Sequence, residues 1–258
     1  MHREGPMQAC RNSLLAPRDG THAGLVLAYY LPKTGDDGES KRKLLDRAIK
    51  ASHRTRPLYE KAFQRAYPGL ALRRTVAVDG RLIVGLGAQT ALETGITLHH
   101  TYGTPILLGS GLKGLAAHYC AEVWGNGRPE FRKDGEWYHE VFGGTDDAGF
   151  VIFHDAWITP GSLKPDSGLV LDVMTPHHGD YYMKKTKAPT DFDDPNPVGF
   201  LSVAGTFELA VSCGDMEDAD SKRWAGLAME LLLQAAGDWG VGGKTNSGYG
   251  RMHELPVQ

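Results

Sequence analysis

Two glycine-rich stretches hold the residues best suited to chemistry. In the first, Pro105-Ile-Leu-Leu-Gly-Ser-Gly-Leu-Lys-Gly114, an apolar run ends at Gly109, and Leu112, Leu115, Ala116, Tyr119 and Val123 then recur at helical spacing. Ser110 is placed to cap this helix. Lys113 falls in its first turn, where the helix dipole disfavours a cation. Free N–H groups, a hydroxyl, a lysine, and Gly109 and Gly111 for close approach together describe an anion site, with phosphate the expected anion. The second stretch is Gly237-Asp-Trp-Gly-Val-Gly-Gly-Lys-Thr-Asn-Ser-Gly-Tyr-Gly-Arg251. Around Gly242 and Gly243 it carries Lys244, Thr245, Asn246, Ser247, Tyr249 and Arg251, all types that contact phosphates or bases.

Two nucleotide-enzyme readings fail on context. Gly109-x-Gly111-x-x-Gly114 matches the literal dinucleotide fingerprint, but residues 125–140 are glycine-rich and polar where a second buried strand should follow. Gly243-Lys244-Thr245 ends like a P-loop, yet Asp238 replaces its first glycine. The order there is helix, loop, strand rather than strand, loop, helix. No cofactor is expected. Nor is a metal, because His177, His178 and Asp180 lack a further ligand at suitable spacing.

The elements that must position these stretches follow from composition and pattern. The chain has 258 residues, 33 of them glycine, against an average of about 7%. With no low-complexity tract to hold them, the glycines must shape ordered loops. Three scattered cysteines and no apolar run of spanning length fit a soluble, cytoplasmic protein with no membrane contact. Net charge is −3, but lysine and arginine crowd between Lys41 and Arg74, Arg54 and Arg56 among them. Acid collects at residues 191–194 and 215–220. Segregated charge permits a local positive field on an acidic protein.

Helices are predicted over residues 39–53, 57–66 and 224–235, the last capped by Asp218 or Asp220. Asp79-Gly80 reads as a hairpin turn between 76–78 and 82–84, and strands are expected over 150–158, 169–174, 201–211 and 248–255. The alternation over 201–211 predicts one half-buried strand. Strand, helix, strands, helix, strand is the α+β, ferredoxin-like (RRM-like) βαββαβ plan on an antiparallel sheet. Residues 1–75 form a basic, partly helical N-terminal extension. Residues 76–258 form the ferredoxin-like domain, with insertions at about 125–147 and 175–197. On that plan the two glycine stretches face the same end of the sheet and line one groove.

These residues resemble the RAMP superfamily of CRISPR proteins. Gly240, Gly242, Lys244, Thr245 and Gly248-Tyr-Gly-Arg251 are similar to its glycine-rich loop, and residues 105–114 to its strand, loop and first helix. Glu93-Thr-Gly-Ile-Thr-Leu-His99, Phe153-His-Asp-Ala-Trp157, Thr175-Pro-His-His-Gly-Asp-Tyr-Tyr182 and Asn196-Pro-Val-Gly-Phe200 narrow the resemblance to the sixth-subunit family of type III-B (Cmr) effector complexes. The likeness spans about residues 85–251.

It implies a non-catalytic subunit that holds the CRISPR guide RNA near its 3′ end and contributes to binding of the complementary target RNA in antiviral defence. Its partners would be the neighbouring RAMP backbone subunit and the 3′-end capping subunit. One of the two insertions would project into the guide–target duplex. His177, His178, Lys184 and Lys185 join the expected RNA contacts. The alternative is a metal-independent endoribonuclease, with His99, His100, His177 or His178 as acid and base, assisted by Tyr102 or Lys113.

Overall fold

Alternating residues in β1 (Leu72–Val78), β4 (Ala156–Ile158) and β7 (Thr206–Ser212) place Val76, Ile158, Phe207, Leu209 and Val211 on one side of a sheet, where all five are buried. The computed structural model describes residues 21–30, 38–88, 90, 92–175 and 197–256. With β2 (Ile106–Leu107) and β8 (Met252–Glu254) at its edges, the sheet runs β2-β4-β7-β1-β8 with every pair antiparallel. The short β3 (Ile152–Phe153) pairs with the end of β7. The fold is α+β.

Two helices cover the apolar side of the sheet. α6 (Ala219–Asp238) packs on β1, β7 and β8 through a buried stripe that includes Ala225, Ala228, Leu232 and Ala235. Asp218 starts it by accepting the Ser221 N–H at 2.8 Å. Beside it α4 (Gly109–Tyr119) buries Leu112, Ala116 and Tyr119. A π turn over Cys120–Trp124 then rotates the helical face, so that Cys120 and Trp124 are buried and Val123 is exposed.

On the other side of the sheet lies α3 (Arg56–Phe63). Its Tyr59 is fully buried, donates to the Ile158 carbonyl at 2.6 Å and stacks on Trp157. A second sheet pairs β5 (Gly168–Met174) with β6 (Val198–Ala204) and is covered by α2 (Gly38–Arg54), which buries Leu44, Leu45, Ala48 and Ala51. α1 (Ala23–Tyr29) and α5 (Glu136–Phe142) complete the helices named here. The helices before β1 share one continuous core with the rest. Among the described residues no helix is long and apolar enough to cross a membrane.

The chain departs from the predicted elements in four places. Residues 201–211 are not one strand. Gly205, at φ 122°, breaks them into β6 and β7, which belong to different sheets, and residues 200–204 are buried on both faces. Asp79-Gly80 makes no hairpin, because Leu82 pairs with Val203 while the Arg81 and Ile83 carbonyls accept from residues 250 and 243. The 150–158 strand is interrupted between β3 and β4. Residues 125–147 do not form a bare insertion, since they send Phe131, Val141 and Phe142 into the core.

The largest departure concerns direction. Val76 and Ile158 both lie opposite Phe207, while Ile106 and Leu107 lie opposite Trp157 and Ala156. β2 therefore runs against β1 and carries the chain to the end of the sheet where β1 begins. Gly109 sits there; a Cβ on it would lie 2.2 Å from the carbonyl oxygen of Phe153, whose register partner is Val211. α4 then climbs to the opposite end. Its Tyr119 hydroxyl meets the Asp238 carboxylate at 2.5 Å, at the close of α6. A plain βαββαβ path would have begun this helix where β1 ends.

The start of α4 also differs from expectation. The N-cap is Leu108, which makes no side-chain cap, and Ser110 lies inside the helix. The cap comes from far in sequence, as Asp155 Oδ1 accepts the Gly109 N–H at 2.6 Å. A carboxylate at the positive end of a helix dipole is favourable.

Two stability predictions follow from these joints. Asp155→Ala should lower unfolding stability by about 1 kcal/mol, with Asp155→Asn close to wild type, read from urea midpoints. Gly205→Ala should cost more, about 2–3 kcal/mol, because it combines a strained φ with an added Cβ 2.6 Å from Ser162 Cβ. An unchanged midpoint for Gly205→Ala would contradict the bend.

Candidate nucleic-acid interface

The glycine loop between α6 and β8 is held by backbone contacts. Gly243 N–H donates to Ile83 O, Gly250 N–H to Arg81 O and Val241 N–H to Gly250 O, each at 2.8 Å. The fit leaves no room for side chains at two points. A Cβ on Gly242 would lie 2.1 Å from Ile83 O, and one on Gly250 2.0 Å from Val241 O. Both residues also take positive φ, at 85° and 79°.

Lys244 is itself left-handed, at φ 57°, and starts a one-turn helix over Thr245–Ser247. A non-glycine residue in that region is strained by roughly 1–2 kcal/mol. Ser247 N–H, and more weakly Tyr249 N–H, return to the Lys244 carbonyl. The result is a rigid knuckle with Lys244, Asn246 and Ser247 exposed and Thr245 half-buried. Among the described residues no carboxylate lies within ion-pair distance of Lys244.

The amides of residues 241, 243, 247, 248, 249 and 250 are all engaged within the chain. The knuckle presents the side chains of Lys244, Asn246 and Ser247. Two of the expected contacts already have internal partners. Arg251 donates to the carbonyls of Gly237 and Asp238, closing the negative end of α6. The Tyr249 hydroxyl donates to Asp172 Oδ2 at 3.2 Å, and burial together with that carboxylate pushes its phenol above its ordinary pKa. Nothing in the local sequence signals either contact, since one reaches back to the end of α6 and the other to Asp172 in β5.

The other expected contacts lie elsewhere. Gly109, Ser110, Gly111 and Lys113 stand in the first turns of α4, a helix about 16 Å long whose far end meets the close of α6, just before the glycine loop. At that foot Asp155 supplies the anion that phosphate was expected to supply. Ser110 and Gly111 are exposed, Lys113 is half-buried, and Lys113 has no carboxylate partner among the described residues.

Arg54 and Arg56 are exposed at the junction of α2 and α3. α2 covers the face of the second sheet that Gly199 presents to Leu45, whereas Asp172 and Tyr249 occupy the opposite face. The single groove expected from both glycine stretches is therefore not formed. His177, His178, Lys184 and Lys185 lie outside the described residues.

Of the described histidines offered for acid–base chemistry, His99 is packed and His100 is exposed. His99 stacks on His100 and lies edge-on to Trp157, 4.6 Å between ring centres. Its Nδ1 accepts the Thr101 N–H at 3.1 Å. Burial and then His100 hold its imidazole below the ordinary value of 6.5, so the ring is neutral near pH 7.

The RAMP superfamily matches residues 75–253, from within β1 to within β8, and so takes in both glycine stretches. The chain is 26% identical over 265 aligned residues to the CRISPR system Cmr subunit Cmr6 of Pyrococcus furiosus, covering 81% of this chain and 77% of that one. Among solved structures, a chain of the type III-B Cmr-beta assembly bound to cognate target RNA shares the fold. Its TM-score is 0.53 at 19% identity, over 97% of this chain and 72% of that one. The crystal structure of Cmr6 from Pyrococcus furiosus aligns with TM-score 0.46 at 27% identity, over 72% of this chain and 98% of that one. A match running from the first strand of the main sheet to the last means that the chain belongs to the RAMP superfamily of CRISPR proteins.

Proposed function

We propose that this chain is a non-catalytic, RNA-binding subunit of a type III-B CRISPR effector complex. It holds the guide RNA near its 3′ end and contributes to binding of the guide–target duplex. The observation that carries this reading is the similarity to Cmr6 over 81% of the chain. Its partners are the guide, the complementary target RNA, the neighbouring RAMP backbone subunit and the 3′-end capping subunit. The strand order β4-β7-β1-β8, with helices between β1 and β4 and between β7 and β8, supports a ferredoxin-like core elaborated by β2 and the second sheet.

RNA is held at two separated places rather than in one channel. The glycine-loop knuckle is the stronger, because the Lys244 ammonium there has no carboxylate partner among the described residues. The foot of α4, with Ser110 and Lys113, is the weaker, because Asp155 already offsets its positive end. The exposed Arg54 and Arg56 extend the positive field along another face. Affinity comes from phosphate contacts, so sequence preference is slight and salt dependence steep.

The test is filter binding of end-labelled guide RNA over a salt series. Lys244→Ala should weaken binding about tenfold and reduce the slope of log K against log salt by about one, with a smaller loss for Lys113→Ala. Losses should add in the double variant, because the sites are more than 7–10 Å apart. Unchanged affinity in Lys244→Ala would overturn the assigned surface. The same RNA should stay intact with and without magnesium; discrete cuts abolished by His99→Ala would establish the endoribonuclease instead.

A further inference from the structure

The segment that follows α4 folds back along the outer surface of α6 and leaves a cleft of about 430 Å³ that the RNA reading does not use. Trp124, Phe131 and Trp137 wall it, Arg128 overhangs it, and Gly226 and Leu227 form its floor. The walls are fixed. Trp137 meets Phe131 and Trp224 edge to face, at 5.1 and 6.1 Å between ring centres. The Trp124 indole donates to Gln234 Oε1 at 2.8 Å, and Gln234 in turn donates to Glu230.

Three features mark the cleft as a docking site rather than a packing fault. Trp137 is 41% exposed although rigidly held. Gly226 sits mid-helix, where alanine is the better helix former, and a Cβ added there meets nothing within 4 Å. The Arg128 guanidinium lies 5.0 Å from the Trp124 ring and 4.8 Å from the Phe131 ring, yet no carboxylate among the described residues pairs with it. Cation–π contact with two rings set nearly at right angles to each other holds the guanidinium in place for pairing with an oxyanion.

The rim decides which oxyanion. Arg223 and Glu230 both line the cleft, and Asp220 pairs with Arg223 at 3.4 Å, so the rim is of mixed charge rather than a positive strip. Carboxylates at the rim oppose a polyphosphate strand but tolerate one carboxylate on a chain of mixed charge. Exposed tryptophan and arginine around an apolar floor is also the composition that dominates binding energy in protein interfaces.

We propose that this cleft docks a segment of a neighbouring protein subunit that carries an aspartate or glutamate beside an apolar side chain. The carboxylate pairs with Arg128, and the apolar group lies on Trp137 above Gly226. The proposal rests on the chain being part of an effector complex, and its test separates the two claims. The photo-reactive residue p-benzoylphenylalanine is placed at position 227 of the full chain, and the guide-loaded complex is purified from the native host and irradiated.

The expected product joins position 227 to a polypeptide within a few residues of an aspartate or glutamate. Arg128→Glu and Gly226→Leu should each lower retention of the chain in the complex about tenfold, and reversing the partner's acid to lysine should restore Arg128→Glu. Gly226→Leu is expected to fold, and an unchanged circular dichroism spectrum of the free chain checks this. A cross-link to RNA, a cross-link to a second copy of this chain, or normal retention of both variants overturns the cleft assignment and leaves the effector-subunit reading standing. A wild-type chain that enters no complex ends both.

Discussion

Residues 81–83 are the strip on which the rest of this structure depends. On one edge Leu82 exchanges two backbone hydrogen bonds with Val203 of the second sheet. On the other edge the carbonyls of Arg81 and Ile83 accept from Gly250 and Gly243. One extended tripeptide thus ties the second sheet to the glycine loop. Tyr249 adds a second tie to that sheet through Asp172. With its ends fixed and its glycines pressed against backbone, the loop has little choice but to turn outward at Lys244. The strained φ of Lys244 is what such over-determination allows, and the benefit is a lysine held at the surface with no carboxylate partner among the described residues.

The direction of β2 has equal weight for function. β2 runs against β1 and delivers the chain to the end of the sheet where β1 starts, and α4 returns along the helical layer. The two glycine turns therefore mark opposite ends of one helix. An RNA strand touching both must run along the molecule rather than sit in a pocket between them. Asp155 adds a second constraint. By capping α4 it removes the simplest anion site in the chain, leaving a lysine and a hydroxyl without the full pull of a helix N-terminus.

Much of this was legible from local signals. The helices α2 and α6 follow from their periodicity, and Asp218 caps as its spacing suggests. The lysines of both glycine turns are proposed as contacts from residue type and neighbours alone. What could not be read was set by long-range pairing. The alternation over residues 201–211 survives the bend at Gly205, because changing sheets does not change side-chain parity. Asp79-Gly80 has hairpin chemistry, but the hydrogen bonds beyond it go to Val203 and the loop. Val123 keeps helical spacing, yet a π turn moves it outward. Arg251 looks like a phosphate ligand until the end of α6 is seen beneath it.

The central claim is that the knuckle around Lys244 touches guide RNA. It is tested most directly by assembling the complex with a guide carrying 4-thiouridine near its 3′ end, irradiating it, and mapping the attached peptides by mass spectrometry. The account predicts cross-links within residues 244–247. Cross-links to this chain that fall consistently elsewhere, with that peptide recovered unmodified, would contradict it.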